Sequence, residues 1–269
     1  MTSRIPEIFS DNNIKKKKTF ISYLVCGDPS TKHTISAMNT MASSGVDIIE
    51  LGIPFTDPIA DGPVIQKSID RSLKNNTSLN DVISLVKQFR KNNKKTAVVL
   101  MGYMNPIHKM GISKFVKLII SSDIDGVLVV DSPPEESKKL NNLLRKSKKS
   151  HIYLASPTTT DKRMKSITEM SSGYVYYVTV KGITGSKLSN IKSIKDNVHK
   201  IKNLSNSLLP VAVGFGIKDS KSAKAMAKFS DGIIIGSSIV ELINKYADNK
   251  KVMNQKLSKY LVSISRVMQ

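Results

Sequence analysis

Short apolar runs rich in valine and isoleucine alternate along this chain with longer stretches whose apolar residues recur every three or four positions. The first kind reads as buried strands, the second as amphipathic helices. Eight strand runs are predicted, over residues 20–26, 46–53, 96–102, 126–131, 151–155, 174–179, 210–214 and 232–236. Helices are predicted between them over 34–44, 79–91, 112–121, 135–146, 161–171, 191–203 and 220–229. A last helix is expected over 238–245, continuing through 255–267, and residues 5–9 predict a short extra helix at the floor of the fold.

Strands alternating with helices imply a parallel sheet covered by helices. Eight such units in 269 residues match a closed (β/α)8 TIM barrel, which typically takes about 250 residues. No linker, low-complexity tract or shift of composition divides the chain, so residues 1–269 are expected to form a single domain. The alternative is an open, doubly wound sheet. It would ordinarily carry a glycine fingerprint after the first strand, and Gly27-Asp28-Pro29-Ser30 is not one.

Strand periodicity assigns faces. In the second run Ile48, Glu50 and Gly52 share one side, and Ile49, Leu51 and Ile53 the other. The outer face of a barrel strand packs on helices, so the charged member belongs in the lumen, near the C-terminal mouth where barrel enzymes work. Apolar neighbours raise the pKa of such a carboxyl toward the range useful for proton transfer. A structural pairing of Glu50 with a lysine is the competing reading. A stiff loop follows, with three prolines and two aspartates. Asp61, in Ala60-Asp61-Gly62-Pro63, is either an aimed carboxylate or a turn former. Asp57 before Pro58 reads as structural or as part of a contact surface, and Asp131 as either catalytic or loop-anchoring.

Three glycine-bearing loops follow the last three strands: Gly182 to Gly185, Gly214-Phe215-Gly216, and Gly236-Ser237-Ser238. Loops after strands seven and eight, with a helix starting at Ser237 or Ser238, are the usual phosphate site of this architecture. Thr184 sits in the longest of these loops, which suggests a lid over bound ligand.

Composition changes this picture little. The formal charge of +21 invites a nucleic-acid reading, but only 6 of the 42 basic residues are arginine. The lysines lie in separate clusters (15–18, 91–95, 146–149, 192–202) without interleaved aromatics, so no nucleic-acid partner is expected. No apolar run approaches the roughly 18–20 residues that span a bilayer, and none follows the N-terminus as in a signal peptide. With one cysteine, Cys26, a soluble cytoplasmic protein is expected. The four histidines have no metal-ligand spacing, and there is no P-loop, Gly-x-Ser-x-Gly or Cys-x-x-Cys. Lys181, beside Gly182, is poorly placed for a Schiff base. The residues point to a barrel without metal or cofactor that binds a phosphorylated substrate and moves protons with carboxylates.

The segment from Glu50 to Pro63, followed by Val64-Ile65-Gln66, resembles the signature of the tryptophan synthase alpha subunit family. Gly27-Asp28-Pro29, Tyr103-Met104-Asn105-Pro106, Asp131 to Ser137, Gly182 to Gly185, Gly214 to Ile217 and Gly236 to Val240 follow in the family's order. The resemblance implies retro-aldol cleavage of indole-3-glycerol phosphate to indole and glyceraldehyde 3-phosphate. It implies Glu50 as proton shuttle, Asp61 as acceptor for the ring N–H, and Tyr176 as an orienting tyrosine. It further implies a phosphate grip at Gly185, Phe215, Gly216, Gly236 and Ser237, with Thr184 as the lid residue that approaches Asp61. By the same resemblance a separate beta subunit, which holds the pyridoxal phosphate, receives the indole in an alpha2beta2 heterotetramer. Pro54, Asp57, Asn105 and Pro133 would face it. The chain departs from the family in the lid, where Thr179, Val180 and Lys181 replace the Ser and frequent Arg of other members.

Overall fold

The computed structural model describes residues 2–179, 189–214 and 216–269. Eight strands, β1 (Thr19–Val25), β2 (Ile48–Gly52), β3 (Ala97–Gly102), β4 (Gly126–Val129), β5 (Ser150–Ala155), β6 (Val175–Val178), β7 (Val211–Gly214) and β8 (Gly232–Ile235), are all parallel to their neighbours. β1 pairs with β8, so the sheet closes and leaves no edge. The eight predicted runs each coincide with one of these strands to within two residues at either end, and the barrel replaces the open-sheet alternative.

Alternation along β2 is as the periodicity requires. Ile48 joins an apolar cluster inside the barrel and Glu50 lines its mouth, while Ile49 and Leu51 join the larger cluster under the helices. Ile21, Val99, Leu128, Ile152, Ala212 and Ile234 fill the lumen from the other strands. The inside is therefore packed rather than open, as in other barrels of this size.

The helices differ from expectation where local pattern competes with a turn. α1 (Ile5–Ile14) is longer than the predicted 5–9, and it plugs the floor. Ile5 and Phe9 enter the lumen cluster, and the Phe9 ring lies 5.7 Å from that of Tyr174. α2 (Thr31–Ser43) starts three residues early because the Ser30 side chain accepts from the His33 N–H. α3 (Pro63–Lys74) has no counterpart in the sequence expectation. It begins inside the loop after β2, with a proline in the first turn. α4 (Leu79–Asn92) carries a Ser78/Asp81 capping box. α5 (Met104–Met110) is also unforeseen, being barely two turns long. α6 (Ile112–Ser121), α7 (Lys138–Lys146), α8 (Asp161–Met170), α9 (Ser189–Leu204) and α10 (Ser220–Ala227) fall within a few residues of their predicted spans. The last predicted helix is two. α11 (Ser237–Lys245) ends at a turn, and Asn249 caps a separate α12 (Lys250–Ser265).

Beneath the barrel a buried charge network ties the N-terminus to the sheet. The Asp125 carboxylate accepts from the Val98 N–H at 2.8 Å, Arg90 Nη2 at 2.6 Å, and the Arg4 N–H and Nη1 at 3.0 and 2.8 Å. Arg90 also donates to the carbonyls of Thr96 and Asp123. Removing one member leaves the others charged and dry. Asp125→Asn is expected to lower unfolding free energy by about 3 kcal/mol, read from a urea midpoint at constant m-value. A change within about 0.5 kcal/mol would show that the network relaxes at no cost.

Candidate functional site

At the C-terminal ends of the strands the barrel opens into a cavity of about 300 Å³. Glu50, Asp61, Tyr23 and Tyr176 face it, among Met101, Val130, Leu154 and Ile234. A wider opening of about 530 Å³ lies at the opposite end, around Phe9, Lys18, Lys202 and Asp231. It is the seam between the α1 plug and the barrel floor, away from the strand ends where barrel chemistry is placed.

Glu50 is fully buried. Tyr174, one turn of alternation below Tyr176, donates its hydroxyl to Glu50 Oε1 at 2.5 Å. Oε2 has no hydrogen-bond partner among the described residues and is equally buried. Burial raises the pKa of this carboxyl from its ordinary 4.5 to about 7, against the lowering effect of the Tyr174 bond. The competing reading of a lysine pair finds no support, because the partner of Glu50 is a neutral phenol. A carboxyl with one oxygen held and the other bare, poised near neutral pH, can give or take a proton.

Asp61 is held at both its side chain and its backbone. Tyr103 donates to its Oδ2 at 2.6 Å, and the same hydroxyl accepts from the Ala60 N–H at 3.1 Å. Gln66 Nε2 donates to the Asp61 carbonyl at 2.9 Å and to the Pro58 carbonyl at 3.3 Å. The loop is thus clamped to β3 and to α3, and the carboxylate is aimed. Burial raises the Asp61 pKa, with the Tyr103 bond opposing it. Asp131 instead accepts from the Met104 N–H at 2.8 Å and anchors the start of α5.

Tyr176 projects from β6 into the same cavity. Gly216, Gly236 and Ser237 border its other end, with Lys218 and Glu241 alongside. Gly236 occupies the cap position of α11 and no side chain among the described residues caps that helix, so its positive end can receive an anion. Thr184, Gly185 and Phe215 lie outside the described residues. Of the four partner-facing candidates, Asp57 and Asn105 are exposed, Pro133 is half-buried and Pro54 is buried. Among the described residues no three His, Cys, Asp or Glu side chains gather in a way that could hold a metal ion.

Three tyrosines of the site escaped the sequence reading. Tyr174 stands two residues before Tyr176, hence on the same face, which was the available signal. Tyr103 lay inside a recognised motif with no role attached to it. Tyr23 was hidden in an apolar run as an ordinary core position.

The family model for the tryptophan synthase alpha chain matches residues 9–268. The tryptophan synthase alpha chain of Marinobacter nauticus is 44% identical over 96% of this chain and 95% of its own length. That of Vesicomyosocius okutanii is 41% identical over 99% of each. Among solved structures, the tryptophan synthase alpha subunit of Legionella pneumophila superposes with a TM-score of 0.92 at 36% identity, covering 100% of this chain and 99% of that one. A barrel with this mouth and this near-complete match leaves one assignment: the chain belongs to the tryptophan synthase alpha chain family.

Proposed function

We propose that this chain cleaves indole-3-glycerol phosphate to indole and glyceraldehyde 3-phosphate through Glu50 and Asp61, and hands the indole to a beta subunit. The observation that carries the reading is the bare, buried Glu50 Oε2 facing a cavity whose opposite carboxylate, Asp61, is fixed by Tyr103.

The chemistry follows from those two groups. Protonated Glu50 gives its proton to C3 of the indole ring, making an indolenine with positive charge on the ring nitrogen. Asp61 accepts from that N–H and stabilises the charge where it develops. Ionised Glu50 then takes the proton of the adjacent side-chain hydroxyl. The bond between C3 and the side-chain carbon breaks, its electrons restore the aromatic ring, and the hydroxyl oxygen becomes the aldehyde oxygen. One carboxyl serves as acid and then base, so a pKa near 7 suits both halves. Tyr176 orients the ring. Gly216, Gly236 and Ser237 hold the phosphate at the positive end of α11.

Residues 1–269 work as one domain in an alpha2beta2 assembly in the cytoplasm, with Pro54, Asp57, Asn105 and Pro133 toward the beta subunit. The exposure of Asp57, Ile59 and Asn105 at the mouth supports this placement. No helix among the described residues is long and apolar enough to cross a membrane.

The purified chain is expected to release indole from indole-3-glycerol phosphate, and Glu50→Gln to slow that release on the order of a thousandfold. The same variant has a stability signature. The folded pKa lies above the unfolded one, so Glu50 binds a proton in the fold that the unfolded chain gives up between pH 4.5 and about 7. Wild-type stability therefore falls through that window relative to Glu50→Gln, by about 3 kcal/mol in all. Parallel stability curves for the two proteins would return Glu50 to an ordinary carboxylate.

Tyr174→Phe removes the bond that lowers the Glu50 pKa. The fall of kcat/KM at alkaline pH should move to higher pH in this variant. A limb that stays in place would dissociate the titration from Glu50.

Adding a beta subunit should speed indole release. Asp57→Lys is expected to weaken that stimulation while the uncoupled rate persists, and equal stimulation of both proteins would place the interface elsewhere.

A further inference from the structure

The mouth cavity contains a hydroxyl that these roles leave unused. Tyr23 is the fifth residue of β1, only 7% exposed, and its side chain lines the cavity with Glu50 and Asp61. Its ring occupies a slot made by missing side chains. A Cβ on Gly52 would lie 2.4 Å from Tyr23 Oη, and one on Gly236 would lie 3.3 Å from Tyr23 Cδ1. The register pairs Val25 with Gly52, so the ring leans over the glycine opposite the residue two ahead of it.

Tyr176 makes the same diagonal contact elsewhere in the barrel. Val178 pairs with Gly214, and a Cβ there would lie 2.5 Å from Tyr176 Oη. Two tyrosines in equivalent positions of two strand pairs thus deliver hydroxyls to one cavity. A phenylalanine would fill the Tyr23 slot equally well, so packing does not account for the oxygen.

The hydroxyls of Tyr174 and Tyr103 are engaged by Glu50 and Asp61. That of Tyr23 has no hydrogen-bond partner among the described residues. Burial first, then the charges of Asp61 and Glu50, hold its pKa well above the usual tyrosine range, so it remains a donor at neutral pH. Ile65, Met101 and Leu154 line the cavity as apolar wall around it. The hydroxyl faces the cavity and is available to a ligand that accepts from it.

The chemistry of the substrate says which atom accepts. The indole ring offers an N–H donor and no lone-pair acceptor, and the phosphate belongs at the far end by α11. Between them, next to the bond that breaks, the only acceptors are the two hydroxyl oxygens of the glycerol chain. We propose that Tyr23 binds substrate through its hydroxyl, donating to an oxygen of that diol and holding the chain between Glu50 and Asp61. This rests on the reading of the site as an indole-3-glycerol phosphate lyase.

Tyr23→Phe, which keeps the ring, tests the proposal with two ligands. One is indole-3-glycerol phosphate, measured as kcat/KM for indole release. The other is an indolylpropyl phosphate without side-chain hydroxyls, measured as an inhibition constant. The variant is expected to lose about tenfold in kcat/KM, while the inhibition constant of the hydroxyl-free analogue is unchanged. An unchanged inhibition constant also certifies that the variant is folded. Equal weakening of both ligands would reduce Tyr23 to a packing contact, and no change in either would leave its hydroxyl without a role. Both results overturn the proposal. Failure of the wild-type chain to release indole would instead overturn the underlying reading, before Tyr23 is in question.

Discussion

A carboxyl buried in a closed, apolar barrel is the constraint from which the rest of this structure follows. Ionised, Glu50 would face apolar walls with, among the described residues, only the Tyr174 hydroxyl bonded to it; neutral, it is tolerated. The balance between those states sets its pKa near 7. It depends on the lumen remaining packed with apolar side chains and on Tyr174 remaining in place. Closure of β1 on β8 secures the first, and α1 contributes to the second by setting Phe9 against the Tyr174 ring. The floor of the barrel thereby takes part in tuning chemistry at its mouth.

The mouth separates rigid from available groups. Tyr103 and Gln66 fix the Asp61 loop at both its side chain and its backbone, so the loop behaves as an extension of the scaffold. Tyr174 fixes one oxygen of Glu50 and leaves the other bare. Tyrosine suits both tasks because its ring packs while its hydroxyl reaches a carboxylate. The tyrosines at 23 and 176 turn theirs toward the cavity. Four residues of one type thus divide into two that position the acids and two that face the cavity.

Charge plays a smaller part than the composition suggests. Several lysines of the basic surface are tied to acids at the barrel base, Lys17 to Asp47 and Lys202 to Asp231. The charges that matter for the fold are the buried Arg90, Asp123 and Asp125 with the half-buried Arg4, which satisfy strand and loop backbone as well as one another. None of these four stood out in the sequence. A charge-pair network assembled from residues 4, 90 and 125 has no local pattern, and it exists only once the chain has closed.

Much of the barrel was legible in the chain because its signals are local. Period-two alternation in the second run placed Glu50 inside, and turn residues marked the ends of the strands. Short helices resisted the same reading: α5 is too brief to show a period, and α3 begins within a proline loop that reads as irregular. The split between α11 and α12 turned on a single cap at Asn249. For the site, the sequence by itself singled out Glu50, Asp61 and the glycine-bearing loops as candidates, and it determined the family. Tertiary structure alone decided that Tyr174, at a separation of 124 residues, holds Glu50, that Tyr103 holds Asp61, and that glycines at 52 and 236 open a slot for Tyr23. The physical reason is distance along the chain. Alternation and caps act between near neighbours, whereas the pKa of an acid and the direction of a hydroxyl depend on which remote side chains the closed barrel brings against them.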